Sequence, residues 1–204
     1  GAGARGKIYA QYAVDHPEEL EIVAVAEPDP AKRNWIGERC KISEERRFSH
    51  WEELLAEKQM ADAAMICTLD EMHFDPACQA MDKGYHILLE KPMSNRVEEC
   101  IELVKKAEEK ERILSVCHVL RYTPFYQKIK EMITEGVLGE ITAIDQIENV
   151  GYWHYAHSFV RGNWRNSKES SPIILAKCCH DLDMIRWLAG DSCTKISSFG
   201  RLKH

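Results

Sequence analysis

Gly1-Ala2-Gly3-Ala4-Arg5-Gly6 opens the chain as a G-x-G-x-x-G run. Between a strand and a helix, the first glycine of such a run permits a tight turn and the second lets the backbone approach a pyrophosphate. The third allows close helix–strand packing. Gly1, Gly3, Ala4, Arg5 and Gly6 are therefore candidate dinucleotide contacts, with helix N-terminal amides and dipole facing the phosphates. Glu27 follows Gly6 by twenty-one residues, close to the roughly 20 at which an acidic side chain accepts the ribose hydroxyls. A carboxylate there disfavours a 2′-phosphate, so NAD is the expected cofactor; Lys32 and Arg33 lie near enough in sequence to keep NADP open.

Glu90-Lys91-Pro92 ends an apolar strand-like run, and open α/β sheets place ligands at the carboxyl ends of their strands. Lys91 there can hydrogen-bond a substrate hydroxyl and help move its proton as hydride leaves the carbon. Glu90 and Lys91 also count as cofactor contacts; the plain alternative is a lysine that only caps a strand. Tyr152–Arg165 (YWHYAHSFVRGNWR) crowds histidine, arginine and aromatic residues into one stretch. Aromatic faces stack on sugar rings, and His and Arg donate to hydroxyls or a carboxylate. His154, His157, Arg161 and Trp164 are the substrate candidates, against local packing or an oligomer contact. His73 is expected to cap the helix that follows it.

These groups need a scaffold, and the apolar pattern supplies one. Strand-like runs at Glu21–Ala26, Ala63–Thr68, His86–Glu90 and Ile113–Cys117 alternate with helical stretches. Asp29-Pro30 and Asp75-Pro76 start helices, Ser49 to Glu52 has capping-box spacing, and Gly84 is placed to end a helix. Strands apolar along their length and separated by helices predict a doubly wound parallel sheet, a Rossmann-type α/β domain over residues 1–120. Residues 121–204 read as the start of a second, α+β domain with a mostly antiparallel sheet. A helix at Phe125–Glu135 ends at Gly136, a long strand covers Glu140–Val150, and a helix lies near Asp181–Leu188. Ile196–Phe199 opens another strand. A strand should lead into Gly1, and one strand with its helix cannot close a second domain, so the 204 residues are expected to be part of a longer enzyme.

The bulk composition narrows the partners. Hydrophobic residues make up 45% of the chain, the net charge is −6 and there is no basic stripe. This excludes a disordered chain and argues against nucleic acid or a membrane surface as partner. No apolar run is long enough for a transmembrane helix. The eight cysteines are scattered without C-x-x-C, which predicts free thiols and a cytoplasmic protein. Cys178-Cys179-His180 lacks zinc-site spacing, so no metal is expected.

The glycine run, Glu27-Pro28-Asp29, Glu90-Lys91-Pro92, Arg121-Tyr122-x-Pro124, Gly136-x-x-Gly139 and His180-Asp181-Leu182-Asp183 occur in this order over nearly the whole chain. In that order and spacing the chain resembles the Gfo/Idh/MocA oxidoreductases, the family of glucose–fructose oxidoreductase and inositol dehydrogenase. The resemblance implies hydride transfer between nicotinamide and a sugar, polyol or cyclitol carbon, and homo-oligomers formed through the second domain. It implies Lys91 and His180 as the catalytic pair and Asp183 as a substrate contact. Family members often carry aspartate four residues before the histidine and glycine two before it; here Ala176 and Cys178 stand there. Lys177 is therefore a further catalytic candidate. Two other functions stay open: an NAD-dependent glycosidase acting by transient oxidation, and a non-catalytic dinucleotide-binding sensor or regulatory protein.

Overall fold

Helix starts and apolar runs set the order of elements. The structure is a computed structural model that describes residues 1–166 and 170–201. Helix α1 (Ala4–Asp15) rises from the glycine run and β1 (Val25–Ala26) leads to α2 (Pro30–Arg39). Asp29 caps α2 as the Asp-Pro pair predicts: its side chain accepts from the N–H of Ala31 at 2.9 Å and of Lys32 at 3.2 Å. Then come β2 (Arg47–Phe48), α3 (Trp51–Ala56), β3 (Ala63–Ile66) and α4 (Phe74–Asp82). β4 (His86–Leu89), α5 (Val97–Glu109) and β5 (Leu114–Val116) complete the alternation.

All strand pairs are parallel: β1 with β2, and β3–β4–β5 with Ala63 opposite His86 and Ile87 opposite Leu114. This is the doubly wound α/β arrangement that the apolar runs predict. Helices α3, α4 and α5 cover the three-stranded sheet through Leu55, Ala77, Met81 and Leu103, which pack on Ile66, Ile87 and Leu89. Each fully buried Leu or Ile of this cluster contributes about 1.5–3 kcal/mol. A second cluster of Ala2, Ala10, Val25, Ile36 and Ile42 joins α1 and α2 to β1.

The two sheets do not pair with each other. Between them a cavity of about 510 Å³ is lined by Val23–Ala26 on one side and Ala63–Cys67 on the other, with Gly1 and Gly6 among its lining. The expected strand Glu21–Ala26 is shortened to Val25–Ala26: Glu21–Ala24 face the cavity, and no neighbour among the described residues pairs with them.

Later elements depart further from the sequence expectation. Helix α6 (Pro124–Thr134) ends before Gly136, which takes φ +73°. Residues 140–150 are not a strand: an extended segment becomes one only when a neighbour pairs with it, and none among the described residues does. Ile196–Phe199 is likewise unpaired. Tyr152–Arg165 is no plain loop; α7 (Tyr152–Tyr155) runs into a π-helical turn at Ala156–Val160. Helix α8 (Ile173–Ala189) starts just past Pro172, well before the expected Asp181. The capping box near Ser49 is shifted: α3 starts at Trp51, and the Ser49 N–H donates to Glu53 at 3.0 Å rather than to Glu52. Among the described residues, no helix is long and apolar enough to cross a membrane.

Candidate active site

The glycine run has the geometry its residue types predict. A Cβ on Gly1 would lie 2.7 Å from the Cys67 carbonyl oxygen, and one on Gly6 2.3 Å from the Gly1 carbonyl oxygen. Either would force the turn apart. A Cβ on Gly3 would meet nothing within 4 Å, so space lies open above the backbone where a pyrophosphate has to approach. Gly3 caps α1 without a side-chain bond, and the first helical amide to find a partner there is Lys7, on the Gly3 carbonyl at 3.0 Å. The preceding amides of α1 are free to face an anion. These features fit a dinucleotide.

Glu27 stands beside this turn. Its carboxylate accepts from the Ala2 N–H at 2.6 Å and from the Asp29 N–H at 3.1 Å, which leaves acceptor capacity for a ribose. The two cations that kept NADP open are engaged: Lys32 pairs with Asp29 at 3.3 Å, and Arg33 donates to the Glu27 carbonyl at 2.5 Å.

Glu90 is buried beneath the loop, where Tyr9 donates to it at 2.6 Å and the Lys91 N–H at 3.2 Å. The exposed Arg5 guanidinium lies 3.9 Å away. Tyr9 also reaches the Cys117 thiol at 3.2 Å. Burial, and then its bonds to Cys117 and Glu90, hold the Tyr9 phenol protonated far above the usual range. The sequence reading missed Tyr9; its signal was the i, i+4 spacing from Arg5, which puts both on one face of α1.

Lys91 and the histidine motif come together although 89 residues separate them. The Lys91 ammonium donates to the Ala176 carbonyl on α8 at 3.0 Å. Where family members often have an aspartate, this chain thus offers a backbone acceptor. His180 lies one turn further along α8. Burial, and then the charges of Lys91 and His118, lower its pKa to about 4, so the ring is neutral at pH 7. Its Nδ1 is buried with no partner among the described residues. Lys177, on the same helix, is also pushed below the usual ammonium range, by burial first and by Lys91 second. His118 stacks edge-on to His180 with centroids 6.0 Å apart and is itself lowered by burial.

The remaining candidates separate into groups. His154 is half-buried, and its pKa is lowered by burial and by Lys177, then by His157 and Lys91. Trp164 donates its indole N–H at 2.9 Å to Asp70, a buried carboxylate past β3, which ties the aromatic segment to the sheet edge. His157 and Arg161 are exposed. Asp183 is already held: Arg121 grips both its oxygens, at 2.7 and 2.5 Å. This pair, with Lys130 on the Trp187 carbonyl at 2.7 Å, docks α8 on the segment that follows the sheet. His73 caps no helix through its side chain; its ring is buried between two loops.

The profile of the Gfo/Idh/MocA oxidoreductases, NAD-binding Rossmann fold, matches residues 1–118, and that of the family's C-terminal alpha/beta domain matches residues 130–201. The chain belongs to this oxidoreductase family. It is 30% identical over 179 residues to the uncharacterized oxidoreductase sll0816 of Synechocystis, covering 87% of this chain and 47% of that protein. It is 27% identical over 209 residues to scyllo-inositol 2-dehydrogenase (NAD(+)) of Bacillus subtilis, covering 99% and 56%. The WlbA dehydrogenase of Bordetella pertussis, solved in complex with NADH and UDP-GlcNAcA, superposes with a TM-score of 0.77 at 24% identity, over 93% of this chain and 58% of that one. At that identity the likeness speaks for the fold. The chain spans about half the length of the relatives it matches. The Gfo/Idh/MocA profile makes the glycine turn part of an NAD-binding domain.

Proposed function

We propose that the chain carries the cofactor site and catalytic edge of an NAD-dependent dehydrogenase acting on a hydroxyl-bearing carbon of a sugar, polyol or cyclitol. The observation that carries this reading is the meeting of Lys91 with α8 beside a neutral His180, at the sheet edge fed by the glycine turn. Bound NAD supplies the hydride acceptor. Lys91 presents an ammonium that can hold the substrate oxygen as charge develops on it. His180, held neutral, can accept the hydroxyl proton. Tyr9 holds Glu90 in place, and Trp164 on Asp70 brings the aromatic segment over the edge, where His154 can meet a sugar hydroxyl. His157 and Arg161 reach a substrate only if it extends outward. Asp183 acts through Arg121 to seat α8.

Two relatives named 2,7-anhydro-N-acetylneuraminate hydratase, from Escherichia coli and Mediterraneibacter gnavus, at 25% and 24% identity, motivate a second reading. In it the substrate would be oxidised transiently by NAD and the hydride then returned to it, with no net NADH, while the same residues handle the proton; Lys177 beside Lys91 would supply the extra cation that an acidic sugar meets.

The test joins binding to turnover. NAD should raise the melting point of the chain, and Lys91→Ala should preserve that rise while lowering NADH formation from scyllo- or myo-inositol about 10²–10⁴-fold, the range of general acid–base contributions. Equal turnover by the two proteins would remove Lys91 from the chemistry. Product released from the anhydro sugar without net NADH would favour the second reading.

A further inference from the structure

We propose that His73 is a positioning residue that fixes Lys91 at the sheet edge by clamping the loops after β3 and β4 to each other. The ring is 1% exposed. Its Nδ1 lies 2.9 Å from the Pro92 carbonyl oxygen and its Nε2 3.2 Å from the Thr68 carbonyl oxygen. Both oxygens are acceptors and a neutral imidazole carries one N–H, so Nδ1–H donates to Pro92, the nearer of the two, and Nε2 packs against Thr68; one ring thus spans the ends of two neighbouring strands, touching the residue directly after Lys91.

The backbone of this loop has little else to hold it. The parallel ladder continues only as far as the Glu90 N–H on the Ile66 carbonyl at 3.0 Å. The Lys91 N–H turns back to the Glu90 side chain. Pro92 has no N–H to offer, so its carbonyl is its sole main-chain hydrogen-bonding group, and that group is buried with the residue. His73 satisfies it. The next anchor along the chain is Ser94, whose hydroxyl accepts from the Arg96 N–H at 3.0 Å. His73 itself is held from below, since it starts α4, and from above by Thr68, whose hydroxyl donates to the Met72 carbonyl at 2.9 Å. Without the clamp, Lys91 would keep its bond to the Ala176 carbonyl only through a loop free to shift. At an active site, a displacement near 1 Å is enough to cost about 10²-fold in rate.

This inference rests on Lys91 being the site lysine, but its test reads geometry rather than turnover. An asparagine amide nitrogen stands near the place of Nδ1, a glutamine amide nitrogen near that of Nε2, and phenylalanine fills the volume with neither. His73→Asn should therefore keep the bond to Pro92 and His73→Gln only the contact with Thr68. The probe is trace acetylation of the native chain by acetic anhydride, with the modification of each lysine followed by peptide mass spectrometry. The exposed Lys58 and Lys105 serve as internal references. Lys91 should react about fivefold faster in His73→Gln and His73→Phe, the factor one net hydrogen bond corresponds to. It should stay near the wild-type rate in His73→Asn, with the reference lysines constant throughout. Equal Lys91 reactivity in the Asn and Gln variants would overturn the proposal, and that pair decides the matter even if the Phe variant does not fold. Failure of turnover in Lys91→Ala bears on the reaction; failure here bears only on His73.

Discussion

Removing the Glu27 carboxylate should weaken the chain twice, once without ligand and once with it. In the free chain that carboxylate accepts from the N–H of Ala2, which is fully buried, at 2.6 Å, and from the Asp29 N–H at 3.1 Å. Glu27→Ala leaves the Ala2 amide without a partner, which costs about 1–3 kcal/mol. For a chain of this size that corresponds to a fall in melting point of roughly 2–10 °C. With NAD present, the lost hydrogen bonds from the ribose hydroxyls to the charged carboxylate are worth about 1.5–3 kcal/mol, or roughly 10- to 150-fold in affinity. Glu27→Gln keeps an acceptor oxygen, so it should lose less on both counts. It also removes the charge that opposes a 2′-phosphate, and should narrow the gap between NAD and NADP. Thermal melting of the three proteins, alone and across a titration of each cofactor, measures all of this. An apo melting point unchanged in Glu27→Ala would show that the Ala2 bond does not hold the turn. An NAD-induced rise equal to that of the wild type would place ribose recognition elsewhere.

Gly6→Ala should abolish the NAD-induced rise in melting point while Gly3→Ala weakens it less, because a Cβ on Gly6 meets the Gly1 carbonyl at 2.3 Å and one on Gly3 meets open space; equal losses would contradict that geometry. His180 makes stability depend on acid. Its pKa is lowered from 6.5 to about 4, so the unfolded chain binds the extra proton first, and stability falls as the pH drops from about 6.5 towards 4 and levels off below. After allowance for solvent screening at this half-buried ring the loss is about 1–2 kcal/mol; it should be absent from His180→Asn and so appear as the pH-dependent part of the difference between wild type and that variant, followed by urea denaturation. Arg121→Ala should destabilise the chain by about 1–3 kcal/mol by leaving Asp183 partly buried and unpaired, and Arg121→Lys should restore little, since lysine lacks the two-pronged fork; full rescue by lysine would show that charge alone seats α8.

The residues that carried information in sequence were those whose roles are local. Asp29-Pro30 capped its helix and the glycine run made its turn, because both depend on backbone conformation within a few residues. The βα alternation to Val116 was legible because continuous apolar runs report burial on both faces. Glu140–Val150 reads as a strand by residue type, yet pairing is a property of two segments, and periodicity in one does not disclose the other. The same limit hid Tyr9, 81 residues from the carboxylate it holds, and the link between Trp164 and Asp70, 94 residues apart. Asp183 was legible as a residue of interest but not in its role, since nothing in the motif says that Arg121 takes its carboxylate. His73 read as a cap because a histidine before a helix has that local use, whereas its partners lie on loops from two strands.

Helix α8 shows how the site is assembled across that distance. It is held by three contacts: the Ala176 carbonyl on Lys91 at the sheet edge, and the Asp183 carboxylate on Arg121 and the Trp187 carbonyl on Lys130 in the segment that follows the sheet. Met184, on the same helix, is fully buried. These contacts anchor Ala176, Asp183 and Trp187, so the pose of His180 follows from the docking of the whole helix; among the described residues its Nδ1 has no partner. On the proposed reading, a ring held by its helix and buried enough to stay neutral is suited to take up a substrate proton. Lys91, by contrast, is tethered at its tip, and on the proposed reading a substrate oxygen would share the ammonium with the Ala176 carbonyl. The ammonium has three protons and the carbonyl takes one, so the tether aims Lys91 without exhausting it.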